Sequence, residues 1–198
     1  MKILVCISKA PDTTSRIAFT EGDTQFDNNG VQFIVNPYDE WYALVRALEL
    51  KEAQGGSVTT ITVGEADCDP VIRKALAIGA DDAVRIDANP TDALQVASLI
   101  ANHASDGGYD LVLCGKETID HNGSVVGGML AELMNASFVS LATSLEVEGG
   151  VVKATREAGG GLESVEASLP AVVSAAKGMA EQRIPNMRGI MAARTKPL

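Results

Sequence analysis

Two kinds of hydrophobic pattern alternate over the first two-thirds of the chain. Ile3 to Ile7, Val58 to Val63, Ala83 to Ile86 and Leu111 to Cys114 are short runs dense in apolar and β-branched residues. Their length and near-continuous apolar character predict strands buried on both faces. Between them, apolar residues recur at helical spacing. Asn36-Pro37-Tyr38-Asp39-Glu40 predicts a helix start: Asn36 suits a cap, Pro37 the first helical position, and the two acids the positive end of the dipole. Trp41, Leu44, Val45 and Leu48 then share one face. Asp69-Pro70 opens a second helix, with Val71, Ile72, Ala75, Leu76 and Ile78 on its apolar side and Gly79 as its stop. A third is predicted from about Thr91 to His103. A fourth begins near Ser124 and carries Met129, Leu130 and Leu133.

Strands alternating with helices imply βαβ units with right-handed crossovers. The predicted class is α/β, a three-layer α/β/α arrangement around a mostly parallel sheet. After about residue 137 the pattern changes. Ser144 to Val147, Gly149-Gly150 and Val151 to Thr155 read as a hairpin. Leu162 to Ala167 alternates apolar and polar residues, and Leu169 to Val173 is one more apolar run. This predicts an antiparallel extension in the C-terminal third. Residues 1–178 form one α/β domain on this reading. Residues 179–198, with two prolines and no strong period, form a surface loop and tail.

Hydrophobic residues make up 46% of the 198, enough for a packed core. The net charge of −10 argues against nucleic-acid binding and against adhesion to anionic lipid. No apolar run reaches the roughly 20 residues that span a bilayer, so no membrane insertion is expected. Met1 to Cys6 lacks the shape of a secretory signal. Cys6, Cys68 and Cys114 are odd in number and far apart, which suits a reducing, cytoplasmic setting and core thiols.

Catalytic and metal-ligand patterns are absent. The two histidines, His103 and His121, form no ligand set, and Ser8-Lys9-Ala10-Pro11-Asp12 stands where a glycine-rich dinucleotide fingerprint would follow the first strand. Four strand-end loops remain: Ser8 to Thr14, Asn36 to Asp39, Val63-Gly64, and Gly115 to Ser124 running on to Gly127-Gly128. In open parallel sheets ligands bind at such strand ends, where the strand order reverses. The last loop enters a helix N-terminus through small residues. It reads either as a bare turn or as a phosphate site.

Several segments together resemble the electron-transfer flavoprotein beta subunit family. They are Lys2-Ile3-Leu4-Val5 with Pro11-Asp12, Asn36 to Glu40, Val63-Gly64, Arg73 to Asp81, Gly115 to Asp120, Leu169 to Val173, and Arg183 to Met191. The order and spacing hold over the whole chain. Arg-Lys-Ala-Leu-Ala-x-Gly-Ala-Asp and Gly-Lys-x-x-Ile-Asp are the most specific pieces. The resemblance implies an adenine nucleotide alpha-hydrolase-like, Rossmann-like fold and an electron-carrier subunit rather than an enzyme. It implies an alpha-subunit partner, with one FAD shared with that subunit, and a structural AMP in the beta subunit. Electrons would come from acyl-CoA and related dehydrogenases of fatty acid oxidation and pass towards the quinone pool. Some relatives carry a second FAD where AMP would be.

Carried over residue by residue, the nucleotide contacts are Cys6, Asn36, Pro37, Tyr38, Asp39, Val63, Asp120, Asn122, Gly123, Ser124, Val125, Val126 and Gly127. Val125 and Val126 stand where the family often has Thr or Gln, which favours AMP over a diphosphate needing more donors. Arg183, Ile184, Pro185, Met187 and Ile190 fall in the family's partner-recognition loop. Met187 stands at the position of the leucine that anchors in the dehydrogenase; packing against its own domain is the alternative for it. Family members usually run on into an arm that wraps the alpha subunit, so weaker alpha-subunit binding is expected here. A nucleotide-binding module of universal-stress type and an ATP pyrophosphatase-like enzyme are the alternatives.

Overall fold

The computed structural model describes residues 1–198. Its centre is an eight-stranded sheet. The parallel part consists of β1 (Lys2–Cys6), β6 (Ser57–Val63), β7 (Asp82–Ile86), β8 (Leu111–Gly115) and β12 (Ala171–Ala175). β9 (Ser137–Glu148), β10 (Val151–Ala158) and β11 (Gly161–Ser168) extend it. The order across the sheet is β11-β10-β9-β12-β8-β1-β6-β7. β9 runs parallel to β12 and then turns into the antiparallel ribbon with β10 and β11. The expected class and the antiparallel extension are both present.

Alternation of side chains along each central strand decides which helix covers which face. Ile3, Val5 and Ile7, with Leu111, Leu113, Ala171 and Val173, join a core with α1 (Asp39–Gln54) and α2 (Asp69–Ile78). Leu4 and Cys6, with Val112, Cys114 and Val172, face α3 (Ala93–Gly107) and α4 (Val126–Leu133). Both faces of β1 are therefore covered. Each of its fully buried aliphatic side chains contributes about 1.5–3 kcal/mol relative to exposure.

The helix starts follow local chemistry in part. Asp92 caps α3 by accepting from the Gln95 N–H, and Pro70 lies in the first turn of α2. At α1, Tyr38 rather than Asn36 occupies the cap, and it makes no side-chain cap bond. Asn36 has a tertiary role, described below.

Two regions differ from expectation. The stretch after β1 is not a plain loop: β2 (Lys9–Pro11) pairs with β5 (Phe33–Val35), and a small flap pairs β3 (Phe19–Thr20) with β4 (Gln25–Phe26). Strands of two or three residues leave no periodicity to read. The C-terminal segment, expected as a surface loop and tail, contains α5 (Met187–Ala193). Asn186 caps it through the Gly189 N–H, Ala193 is buried, and α5 packs on α2. Arg73 donates to the Ala193 and Lys196 carbonyls, which ties the segment down. No helix is long and apolar enough to cross a membrane.

Candidate functional site

The chain builds β1, β6 and β7 outward in one direction, then returns past β1 to place β8 on its other side. The strand order thus reverses between β1 and β8, and the loops leaving their carboxyl ends diverge, one to each face. A crevice at that point is a geometric consequence. It is a cleft of about 1080 Å³, lined by strand-end residues Cys6 to Lys9, Val63-Gly64 and Gly115 to Asp120, with Ser124 to Val126 at one end. The flap residues Phe19 and Phe26 and the segment before α3 also line it.

The loop after β8 is held by Asn36. This side chain is fully buried; its Nδ2 donates to the Glu117 carbonyl (3.1 Å) and its Oδ1 accepts from the Ile119 N–H (2.9 Å). Both hydrogen-bonding ends of the amide are therefore engaged by backbone. Asn36 stands behind the cleft wall and shapes it. Further along, Glu117 pairs with Lys116 (2.8 Å) and accepts from Ser124 Oγ (2.9 Å). Those partners, Lys116 first, hold the Glu117 carboxyl below the usual range. Asn122 and Ser124 both have positive φ, 48° and 53°. Each such turn costs about 1–2 kcal/mol and is held by the surrounding bonds.

Beyond this turn begins α4. No side chain caps it, and the backbone N–H groups of Gly123 to Gly128 have no protein acceptor. They cluster at the positive end of the helix dipole, which suits an anion. Gly127 is required by close approach: a Cβ there would lie 2.9 Å from Cys114 Sγ and 3.1 Å from the Phe138 ring.

The floor carries Glu40, an acid on the inward stripe of α1. It is 6% exposed and accepts from the Ser8 N–H (2.8 Å) and Ser8 Oγ (2.7 Å). Burial outweighs these bonds and pushes its carboxyl up to about 8. Burial likewise raises the Cys6 thiol well above its ordinary value and takes Cys114 to about 12. Burial thus favours the uncharged form of all three groups on the floor. On the rim, Lys9 pairs with Asp67, whose carboxyl that bond lowers.

Of the sequence-derived site residues, Cys6, Val63, Asp120, Gly123, Ser124, Val125 and Val126 line the cleft together. Asn36 and Gly127 lie just behind its wall. Asn122 sits in the turn, donating to the Thr118 carbonyl. Pro37, Tyr38 and Asp39 lie outside the lining; Tyr38 is 53% exposed with φ 66°. Asp39 packs near Gly115, where a Cβ would approach it to 3.1 Å. The sequence reading missed Glu40, Ser8 and Cys114 as a unit. An available signal was an acid in register with Ala43, Leu44 and Ala47 on the buried stripe.

The segment Arg183 to Ile190 lies on α1 and α2, and its base is clamped. Arg183 makes a two-bond pair with Glu52 (2.6 and 3.1 Å), and Trp41 Nε1 donates to the Arg183 carbonyl (3.3 Å). Beyond the clamp the apolar side chains face solvent: Ile184 is 83% exposed and Met187 73%.

A sequence model of the electron transfer flavoprotein domain matches residues 23–198. The electron transfer flavoprotein subunit beta of Bacillus subtilis is 36% identical over 202 residues, covering all of this chain and 77% of the relative. The Syntrophomonas wolfei subunit beta is 34% identical, covering all of this chain and 78% of the relative. The human subunit beta is 33% identical, covering all of this chain and 80% of the relative. Matched from end to end in this way, the chain belongs to the electron-transfer flavoprotein beta-subunit family and is an electron-transfer subunit, not a catalyst.

Proposed function

We propose that the chain pairs with an alpha subunit, holds AMP in the cleft between β1 and β8, and presents the Ile184–Met187 segment to dehydrogenases. The alpha subunit and a flavin come from the names of the relatives. One FAD, shared with the alpha subunit, would supply the redox chemistry for electrons bound towards the quinone pool. This chain's own residues supply the scaffold and the docking surface.

The observation that carries the nucleotide reading is the convergence of three parallel strand ends with the uncapped start of α4 in one cleft. The donors suit one phosphate: they are backbone N–H groups at the start of α4, because the Ser124 hydroxyl is given to Glu117 and two valines follow it. Acids dominate the rim, with Asp12, Glu65, Asp92 and Asp120 in the lining, while Lys9 and Lys116 are paired with Asp67 and Glu117. Such a rim favours a monophosphate over a triphosphate. Mass spectrometry of nucleotide released by heat from the purified complex is expected to find AMP in a ratio of about one per chain. Added AMP at about 100 times Kd is expected to stabilise the protein by about 2.7 kcal/mol. ATP alone, or no nucleotide with no thermal shift, would count against the reading.

For docking, the two most exposed large apolar side chains stand on either side of Pro185-Asn186, above a rigid base. Exposed aliphatic residues of this kind suit burial in a partner's pocket. Ile184→Ala and Met187→Ala are each expected to slow flavin reduction by a dehydrogenase about tenfold, with flavin content unchanged. Stopped-flow flavin absorbance measures this. Wild-type rates in both variants would place docking elsewhere.

A further inference from the structure

A carboxylic acid on the floor of a cleft that takes anions needs a physical account. Glu40 is not there for want of alternatives in packing, since the rest of its stripe, Ala43, Leu44 and Ala47, is apolar. Its position is enforced from two neighbouring strand ends. The Ser8 N–H and Oγ hold both oxygens from the β1 side. Gly115 at the end of β8 abuts it so closely that a Cβ there would lie 2.8 Å from Glu40 Cγ. Neither hydrogen bond comes from a cation, so ionised Glu40 would carry an unpaired buried charge.

The charge would also be near the phosphate end. Cys114 links the two places: its Sγ lies against the first turn of α4 at Gly127, and its thiol feels the Glu40 charge. The groups facing Glu40 are the Cys6 thiol from β1, the Cys114 thiol from β8 and Asp120 from the following loop. Asp39 on its own helix lies farther out, with the Lys116–Glu117 pair beside it. None of the facing groups is positive. Ionisation of Glu40 therefore adds negative charge that no facing cation pairs, with only the positive end of the α1 dipole to offset it.

We propose that Glu40 is the residue that sets the charge of the cleft floor and thereby the affinity of the cleft for an anionic nucleotide. Uncharged, it admits a phosphate at the start of α4; ionised, it opposes one. The inference rests on the nucleotide reading above and adds to it a determinant and a pH dependence. Neutral Glu40 at pH 7 keeps the site open, and binding weakens as the carboxyl loses its proton near pH 8. Ser8 tunes the transition, because its hydroxyl bond favours the ionised form.

The test is calorimetric titration of the nucleotide-free alpha–beta complex with AMP and, separately, with uncharged adenosine. The range runs from about pH 7 to about pH 9, above the second phosphate ionisation near 6. The AMP Kd of the wild type is expected to rise roughly tenfold over that range, while adenosine affinity stays level. Glu40→Gln, which keeps the shape and cannot ionise, is expected to bind AMP with a level Kd. Ser8→Ala is expected to keep the pH dependence with its midpoint moved upward, and it serves as the second test should Glu40→Gln fold poorly. A Glu40→Gln profile as steep as the wild type's, or an unmoved midpoint in Ser8→Ala, overturns the role of Glu40 and leaves the nucleotide reading standing. Absence of AMP binding by every protein at every pH removes both.

Discussion

Asn36→Ala is expected to destabilise the chain by about 3 kcal/mol and to weaken AMP binding by tenfold or more. The stability loss follows from what the amide holds. Truncation leaves the Glu117 carbonyl and the Ile119 N–H without partners, at a site where Asn36 itself is fully buried. An unpaired buried backbone group costs about 1–3 kcal/mol, so two of them, softened by local relaxation, give the stated figure. The binding loss has a separate origin. The loop Asn36 holds contains Asp120 and continues through the strained turn at Asn122 and Ser124 to the start of α4. Without its clamp, the loop loses the order that presents the donors, and ligand binding must supply that ordering instead. Urea unfolding gives the first quantity and AMP calorimetry the second. Unchanged AMP affinity alongside reduced stability would show that the α4 donors are positioned without Asn36.

Glu40→Gln is expected to be more stable than the wild type above neutrality, by a margin that grows with pH. In the folded chain the Glu40 carboxyl sits at about 8 against an ordinary 4.5. The folded state thus binds this proton more tightly than the unfolded state does. Its stabilising effect is complete below about pH 4.5 and is lost as pH rises towards about 8; beyond that the difference is constant. The displacement corresponds to at most about 5 kcal/mol, and relaxation around the ion reduces it to about 2–4 kcal/mol. Glutamine carries no charge at any of these values, so its own contribution is level. Urea unfolding of the nucleotide-free proteins at about pH 5, 6.5 and 8, followed by Trp41 fluorescence, reads the margin. A margin that shrinks with pH would mean that the Ser8 bonds outweigh burial and keep Glu40 ionised.

These two residues also show what could and could not be read along the chain. From its place before Pro37 and a helix, Asn36 reads as a candidate site residue and as a cap, but Tyr38 takes the cap position. Asn36's actual partners, Glu117 and Ile119, lie 81 and 83 positions along the chain. Local pattern has no information about such a pairing. Glu40 was legible only as a first-turn acid favoured by the helix dipole. The same residue becomes a buried carboxyl once Ser8 and Gly115 close over it. The tail was misread for a similar reason. α5 spans Met187–Ala193, too short for periodicity to announce, and its stability comes from docking on α2.

By itself the sequence determined the alternation of strands and helices, the parallel sheet with an antiparallel extension, and the family. These rest on short-range signals: apolar runs, 3.6-residue spacing, caps and motifs, each complete within a few neighbours. The tertiary structure alone decided that the order reverses between β1 and β8, that the loops after them enclose one cleft, and that its floor buries a carboxyl beside two thiols. Strand order depends on which long crossover packs on which face, and a carboxyl's proton affinity depends on how much water the rest of the fold removes from it. Both are properties of contacts between distant segments, which exist only once the chain has folded.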